Sequence, residues 1–187
     1  MKLAVQKREA GKKTNQLRRE GFIPAILYGK NEGEQSLSVK KDDFQAVLRN
    51  IKSGLLATTV FELQGEGKTY KAIVKEVQYQ PTSYAIEHID FAALSEDRPV
   101  KVKVPVQLAG IADCAGVKQG GFIRTILRNI EVSCLPKDIP QEFSVDVKDL
   151  SIGQRKTIAD IEMPANVTAI AKDKKQVVVL IGKKAGG

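Results

Sequence analysis

Tryptophan is absent from the 187 residues, aromatic side chains make up only 5%, and histidine occurs once, at His88. With so few rings, a core must be built mainly from Val, Ile, Leu and Ala. One histidine leaves a Ser-His-Asp hydrolase or a metal cluster dependent on a single residue, and neither Gly-x-Ser-x-Gly nor His-Glu-x-x-His occurs. The two cysteines, Cys114 and Cys134, match no zinc spacing and read as small buried thiols rather than a disulfide or redox pair. No apolar run approaches the roughly 18 residues that span a membrane. The N-terminus turns charged by Lys7-Arg8, too soon for a secretory h-region. These absences lead to the expectation of a soluble, cytoplasmic, non-enzymatic protein with no cofactor, metal, membrane or small-molecule substrate.

What is abundant is positive charge. Thirty Lys and Arg against 22 Asp and Glu leave a net +8. Such an excess favours a polyanion, because each neutralised phosphate releases condensed counterions. Most of it sits in the first thirty residues, where Lys2, Lys7, Arg8, Lys12, Lys13, Arg18, Arg19 and Lys30 face only Glu9 and Glu20. The doublets Lys7-Arg8, Lys12-Lys13 and Arg18-Arg19 are separated by loop-forming residues, and Tyr28 follows on a strand. That arrangement suits a segment tracking along phosphates with an amphipathic ring nearby. The competing reading is a solvated basic face.

Hydrophobic residues reach 42%, enough for packed domains. The polar cluster Ser95-Glu96-Asp97-Arg98-Pro99 divides two apolar-rich halves, placing domains at 1–94 and 95–187. The expected fold class is mostly β (α+β): a small, mostly-β N-terminal domain with one or two helices, then a β-rich C-terminal domain. In the first half, strands are expected at Lys2–Lys7, Ile23–Gly29 (Pro24 at its start or a sheet edge), Thr58–Leu63, Tyr70–Gln78 and Tyr84–Phe91. A helical turn over Gln16–Glu20 ends at Gly21. Asp42 or Asp43 would cap a helix through Ile51, with Phe44, Val47, Leu48 and Ile51 on one face. In the second half, Val100–Val106 alternates until Pro105, an edge signal. Phe122–Cys134 reads as a longer β stretch and Phe143–Val147 as a strand. Asn166–Ile181 reads as a closing hairpin, with residues 183–187 a disordered tail.

Two segments invite a chemical reading. Gly65-Glu66-Gly67-Lys68-Thr69 looks like the end of a phosphate-binding loop, but the motif's first glycine would fall on Glu62, and two strands flank it; a hairpin fits better. In Glu87-His88-Ile89-Asp90-Phe91, period two puts His88 and Asp90 on one strand face and Ile89 and Phe91 on the other. Imidazole donates, accepts or stacks, and a carboxylate accepts from a base amino group or a ribose 2′-OH. A strand whose His and Asp meet only water and each other stands as the alternative.

Several motifs together resemble the Ctc family, the twenty-fifth protein of the bacterial large ribosomal subunit. Lys7-Arg8-Glu9-Ala10-Gly11-Lys12 and Leu17-Arg18-Arg19-Glu20-Gly21-Phe22-Ile23-Pro24-Ala25-Ile26-Leu27-Tyr28-Gly29 resemble its opening. Val77-Gln78-Tyr79-Gln80-Pro81 and His88-Ile89-Asp90-Phe91 resemble its later signatures. Gly116–Gly121 and Cys134–Pro140 are similar to the extra C-terminal domain of its two-domain members. The resemblance implies an N-terminal β-barrel-like domain docking on the loop E region of 5S ribosomal RNA, on the ribosome, and a β-rich C-terminal domain. It implies RNA contacts from Lys7, Arg8, Lys12, Arg18, Arg19, Tyr28, Gln78, His88 and Asp90, with Lys13 standing in for a lost charge. Residues 95–187 would touch neighbouring large-subunit proteins or RNA. One departure is visible: where the family usually carries a basic pair before Leu17, this chain has Asn15-Gln16. The alternatives are a stress-induced interaction protein acting off the ribosome through residues 95–187, and an RNA-processing enzyme centred on His88 and Asp90.

Overall fold

A computed structural model of the chain describes residues 1–8, 14–29, 33–65, 67–170, 173 and 175–183. Two compact units divide it, Met1–Val100 and Lys101–Gly187. The protein is mostly β, as expected.

The first unit is a closed barrel of six strands in the order β1-β3-β2-β6-β5-β4. They are β1 (Lys2–Lys7), β2 (Phe22–Gly29), β3 (Gly33–Lys40), β4 (Val60–Gln64), β5 (Thr69–Tyr79) and β6 (Ile86–Ala93). Closure comes from parallel pairing of β1 with β4, and β2 also runs parallel to β6; the other pairs are antiparallel. Alternate residues point inward, so Leu3 and Val5, Ala25 and Leu27, Leu37 and Val39, Phe61 and Leu63, and Ile89 and Phe91 meet in one core. Phe61 and Phe91 stack edge to face there, with centroids 6.3 Å apart.

Two helices pack on the barrel. The short α1 (Thr14–Arg19) buries Leu17 and stops at Gly21, whose φ of +82° suits glycine best. The apolar face of α2 (Lys41–Asn50) lays Phe44 into the core, with Val47, Leu48 and Ile51 packed against it. Its N-cap is Lys40 without a side-chain cap bond, so Asp42 and Asp43 do not cap it; they lie in the first turn, where the helix dipole favours them. Strand β3 escapes the sequence reading, because only Leu37 and Val39 mark the apolar alternation along Gly33–Lys40. Thr58 belongs to a 3₁₀ turn before β4, and Tyr84 sits in the β5–β6 loop at a φ of 54° rather than in a strand. Pro24 falls one residue before the β6 ladder begins at Ala25, so the closed barrel accommodates it without an edge.

The second unit contains a four-stranded sheet, β10-β7-β9-β12, and a three-stranded sheet, β11-β13-β8. Its strands are β7 (Val100–Ala109), β8 (Gly121–Thr125), β9 (Asn129–Cys134), β10 (Phe143–Asp146), β11 (Arg155–Thr157), β12 (Thr168–Ala169) and β13 (Val177–Lys183), with a short α3 (Ala115–Lys118). Three expectations are corrected. The stretch Phe122–Cys134 is two strands placed in different sheets. Asn166–Ile181 is no hairpin, since β12 pairs with β9 and β13 with β8 and β11. Pro105 lies within β7 between two neighbours; β10 pairs only from Val106 onward, so the missing N–H precedes that ladder. Cys114 and Cys134 are both buried and unjoined. Lys183 closes β13, and residues 184–187 lie outside those described.

The core makes a direct prediction. Phe91→Ala removes a fully buried ring from the barrel and should cost about 3–5 kcal/mol, read in urea denaturation as a lower midpoint at nearly unchanged slope. A loss under about 1 kcal/mol would show that Phe91 is not a core anchor.

Candidate nucleic-acid interface

The outer face of the barrel takes its pattern from the same alternation that fills its core. Because Ala25, Leu27, Ile89 and Phe91 point in, Ile26, Tyr28, His88 and Asp90 point out. The register then lines residues up across strands. Arg8 follows β1, and its backbone N–H donates to the Ser36 carbonyl at 2.9 Å. Ser36 lies opposite Ile26, Ile26 opposite Asp90, and Asp90 opposite Glu76. One row therefore crosses five strands. Beside it, Gln78 faces His88, and Tyr28 stands two residues beyond Ile26.

Two irregularities in the β5–β6 pairing build this surface. Between Val74, opposite Phe91, and Glu76, opposite Asp90, Lys75 is an extra residue. It resets the alternation of β5, so that Val74 and Val77 pack on the core while Glu76 and Gln78 turn outward. Without it, Gln78 would share the inward face of Val74. The second irregularity makes Glu87 the extra residue between the pairs Gln78–His88 and Tyr79–Ile86. The Glu87 carbonyl accepts from Arg18, whose Nε and Nη2 donate at 3.3 and 3.1 Å. Nη1 of Arg18 donates to Asn15 Oδ1 at 2.9 Å. Buried Leu17 seats α1 on the barrel, and Arg18 ties it to the start of β6.

The departure at Asn15-Gln16 thus has a local structural role. Asn15 orients Arg18, and Gln16 Nε2 donates to Glu20 at 3.0 Å across one helical turn. Arg19 is exposed on the same helix, and Arg8 Nη2 approaches Ser36 Oγ at 3.4 Å.

His88 Nδ1 lies 2.7 Å from Asp90 Oδ1, with the side chains 18% and 29% exposed. An ionised carboxylate can only accept, so the shared hydrogen rides on Nδ1 and a neutral ring presents Nε2 as an acceptor. Burial, with Asp90 and Glu76 nearby, pushes the Tyr28 phenol above its ordinary value, so it stays a neutral donor and acceptor. The face mixes guanidinium, carboxylate, amide, phenol and imidazole. Such cations suit phosphates, and the remaining groups suit base edges and 2′-OH groups better than a purely basic patch would.

Six expected site residues therefore share this part of the barrel: Arg8, Arg18, Tyr28, Gln78, His88 and Asp90. Lys7 has the inward phase of Leu3 and Val5 and borders two recesses, one with Gln35, Lys68 and Tyr70 and one with Arg8, Leu17 and Glu20. Lys12 and Lys13 lie outside the described residues. The row also contains Ile26, Ser36 and Glu76, which the sequence reading did not select. The break in alternation from Ala72 and Val74 to Val77 was the available signal for Glu76; Ser36 needed β3 to be found first.

Comparison with known proteins covers both units. The model of the ribosomal L25p family matches residues 3–91, and that of the ribosomal protein TL5 C-terminal domain matches residues 99–185. The large ribosomal subunit protein bL25 of Chlamydia pneumoniae is 39% identical over 186 residues, covering 98% of this chain and 100% of that protein. Its counterpart in Chlamydia caviae is 40% identical with the same coverage.

The single histidine makes the His88–Asp90 geometry readable by nitrogen NMR without assignment ambiguity. Neutral His88 should carry its hydrogen on Nδ1, and Asp90→Ala should move the ring toward the Nε2–H tautomer. An unchanged tautomer would mean that Asp90 does not orient the imidazole.

Proposed function

The chain belongs to the ribosomal L25p family, in the two-domain form with a TL5-type C-terminal domain, and from that premise we propose that it is a structural protein of the large ribosomal subunit that holds the loop E region of 5S ribosomal RNA on the outer face of its barrel. The family is one of structural ribosomal proteins, and the chain is not an enzyme. The observation that carries the reading is one outer face on which Arg8 is in register with Asp90 through Ser36 and Ile26, and Gln78 stands opposite His88, with Arg18 fixed to Glu87 beside them.

Roles divide by chemistry. Arg8, Arg18 and Arg19 supply attraction to phosphates, joined by Lys12 and Lys13. Lys7, at the barrel end, meets a phosphate farther along the same RNA. Gln78, the Nε2 acceptor of His88, Asp90 and the Tyr28 phenol read base edges and 2′-OH groups in a wide, shallow minor groove. His88 and Asp90 act as a recognition pair. The C-terminal domain contacts neighbouring subunit components.

Binding of the full chain to a loop E transcript tests this. Affinity should fall steeply with salt, and Arg18→Ala with Arg19→Ala should reduce the logarithmic slope by about two. His88→Ala should lower the preference for loop E over an unrelated hairpin while leaving the slope nearly intact. Equal affinity of the native chain for both RNAs would overturn the reading. Release from large subunits in a mild salt wash would instead favour an interaction protein acting off the ribosome.

A further inference from the structure

The three-stranded sheet of the second unit has a basic and aromatic outer face. Its strands β8 (Gly-Phe-Ile-Arg-Thr), β11 (Arg-Lys-Thr) and β13 (Val-Val-Val-Leu-Ile-Gly-Lys) contain Arg124, Arg155, Lys156 and Lys183 and no acidic residue. Buried Val179 and Ile181 fix the inner face, so Leu180 and Gly182 belong to the outer one. Leu180 pairs with Arg124 on one side and Arg155 on the other. Two guanidinium side chains thus flank a half-buried leucine in a single row. The nearest carboxylate along the chain from β11, that of Asp160, already accepts from the Thr157 N–H at 2.7 Å and the Thr157 hydroxyl at 2.8 Å.

One step along the same face, Phe122 pairs with Gly182. A Cβ added at Gly182 would meet the Phe122 ring at 2.6 Å from Cζ, 2.8 Å from Cε1 and 3.2 Å from Cε2. The ring therefore lies across the glycine backbone, which covers one of its faces. Phe122 is nonetheless 48% exposed, and Ile126, next in the same alternation, is 49% exposed. Glycine at 182 permits this close approach, and any side chain there would lift the ring. The result is a supported aromatic surface open to solvent, with Arg124 two residues away on its own strand and Arg155 across the sheet.

We propose that this face is a second RNA-binding surface, on which an unstacked base lies against Phe122 while Arg124 and Arg155 hold the flanking phosphates. Every base has a π face, so a flat exposed ring beside cations accepts single-stranded nucleotides with little sequence preference. The absence of carboxylates in the three strands favours a polyanion over a protein surface of mixed charge. The surface acts independently of the barrel face, and its assignment does not rest on recognition of loop E.

Because the chain contains no tryptophan, Phe122→Trp in the full-length protein introduces a single indole reporter at the site. Titration with a short single-stranded RNA of mixed sequence, lacking loop E, should quench its emission saturably. Arg124→Ala with Arg155→Ala in that background should weaken the quenching by about tenfold, while Arg18→Ala with Arg19→Ala should leave it in place. Circular dichroism of each variant verifies that the fold is kept. No quenching by RNA in a folded variant, or quenching indifferent to the loss of both arginines, would overturn the proposal. A response to RNA-free subunit proteins but not to RNA would overturn it in favour of a protein contact. Loop E affinity should be nearly unchanged by the C-terminal substitutions, which keeps the outcomes for the two surfaces apart.

Discussion

The pairing of β5 with β6 governs what the barrel can present to solvent. A strand offers alternate residues to opposite faces, so a change of one position exchanges every outward side chain for an inward one. Lys75 makes that change once, in mid-strand. Upstream of it, β5 contributes Ala72 and Val74 to the core; downstream, Val77 keeps the core filled while Glu76 and Gln78 turn outward. The second extra residue, Glu87, gives Arg18 a carbonyl to hold. Helix placement and the composition of the outer face thus depend on two local departures from regular pairing.

This arrangement draws one face from two parts of the chain with different chemistry. Cations concentrate in the first thirty residues, and the amide, imidazole and carboxylate groups come from β5 and β6. The closed barrel brings the two sets together, since β2 lies between β3 and β6. Arg18 is a charge near the surface and also a clamp, because its guanidinium donates to the Glu87 carbonyl and to Asn15 Oδ1. A side chain so engaged has already lost much of its rotamer freedom, which reduces the entropy a partner's binding would cost.

Much of the barrel was legible in the amino-acid sequence. Lys2–Lys7 and the apolar run ending at Gly29 are strands, and the spacing of Phe44, Val47, Leu48 and Ile51 marks α2. The outward pairing of His88 with Asp90 followed from period two alone. What escaped did so for physical reasons. Strand β3 carries Gln35 and Ser36 where an alternation would be read, so its pairing with β1 and β2 marks it and its own pattern does not. Lys7 keeps the inward phase of Leu3 and Val5, and its exposure follows from its place at the end of β1. In the second half, local patterning suggested a hairpin at 166–181, but β12 and β13 find better partners in different sheets. The face formed by Phe122, Arg124 and Arg155 combines residues from separated segments, and no linear pattern announces it.

The parallel ladders have a consequence for the order of events when the chain first folds. A hairpin such as β4–β5 can form as soon as its residues exist, but Ala25 must wait for Ile89 and Lys2 for Glu62. Contacts so distant in sequence are costly to close and arrive late. The basic N-terminal segment is consequently made early and given its geometry last. Until β6 docks, Arg18 lacks the Glu87 carbonyl that holds it. The outer face is therefore complete only when β6 stands between β2 and β5.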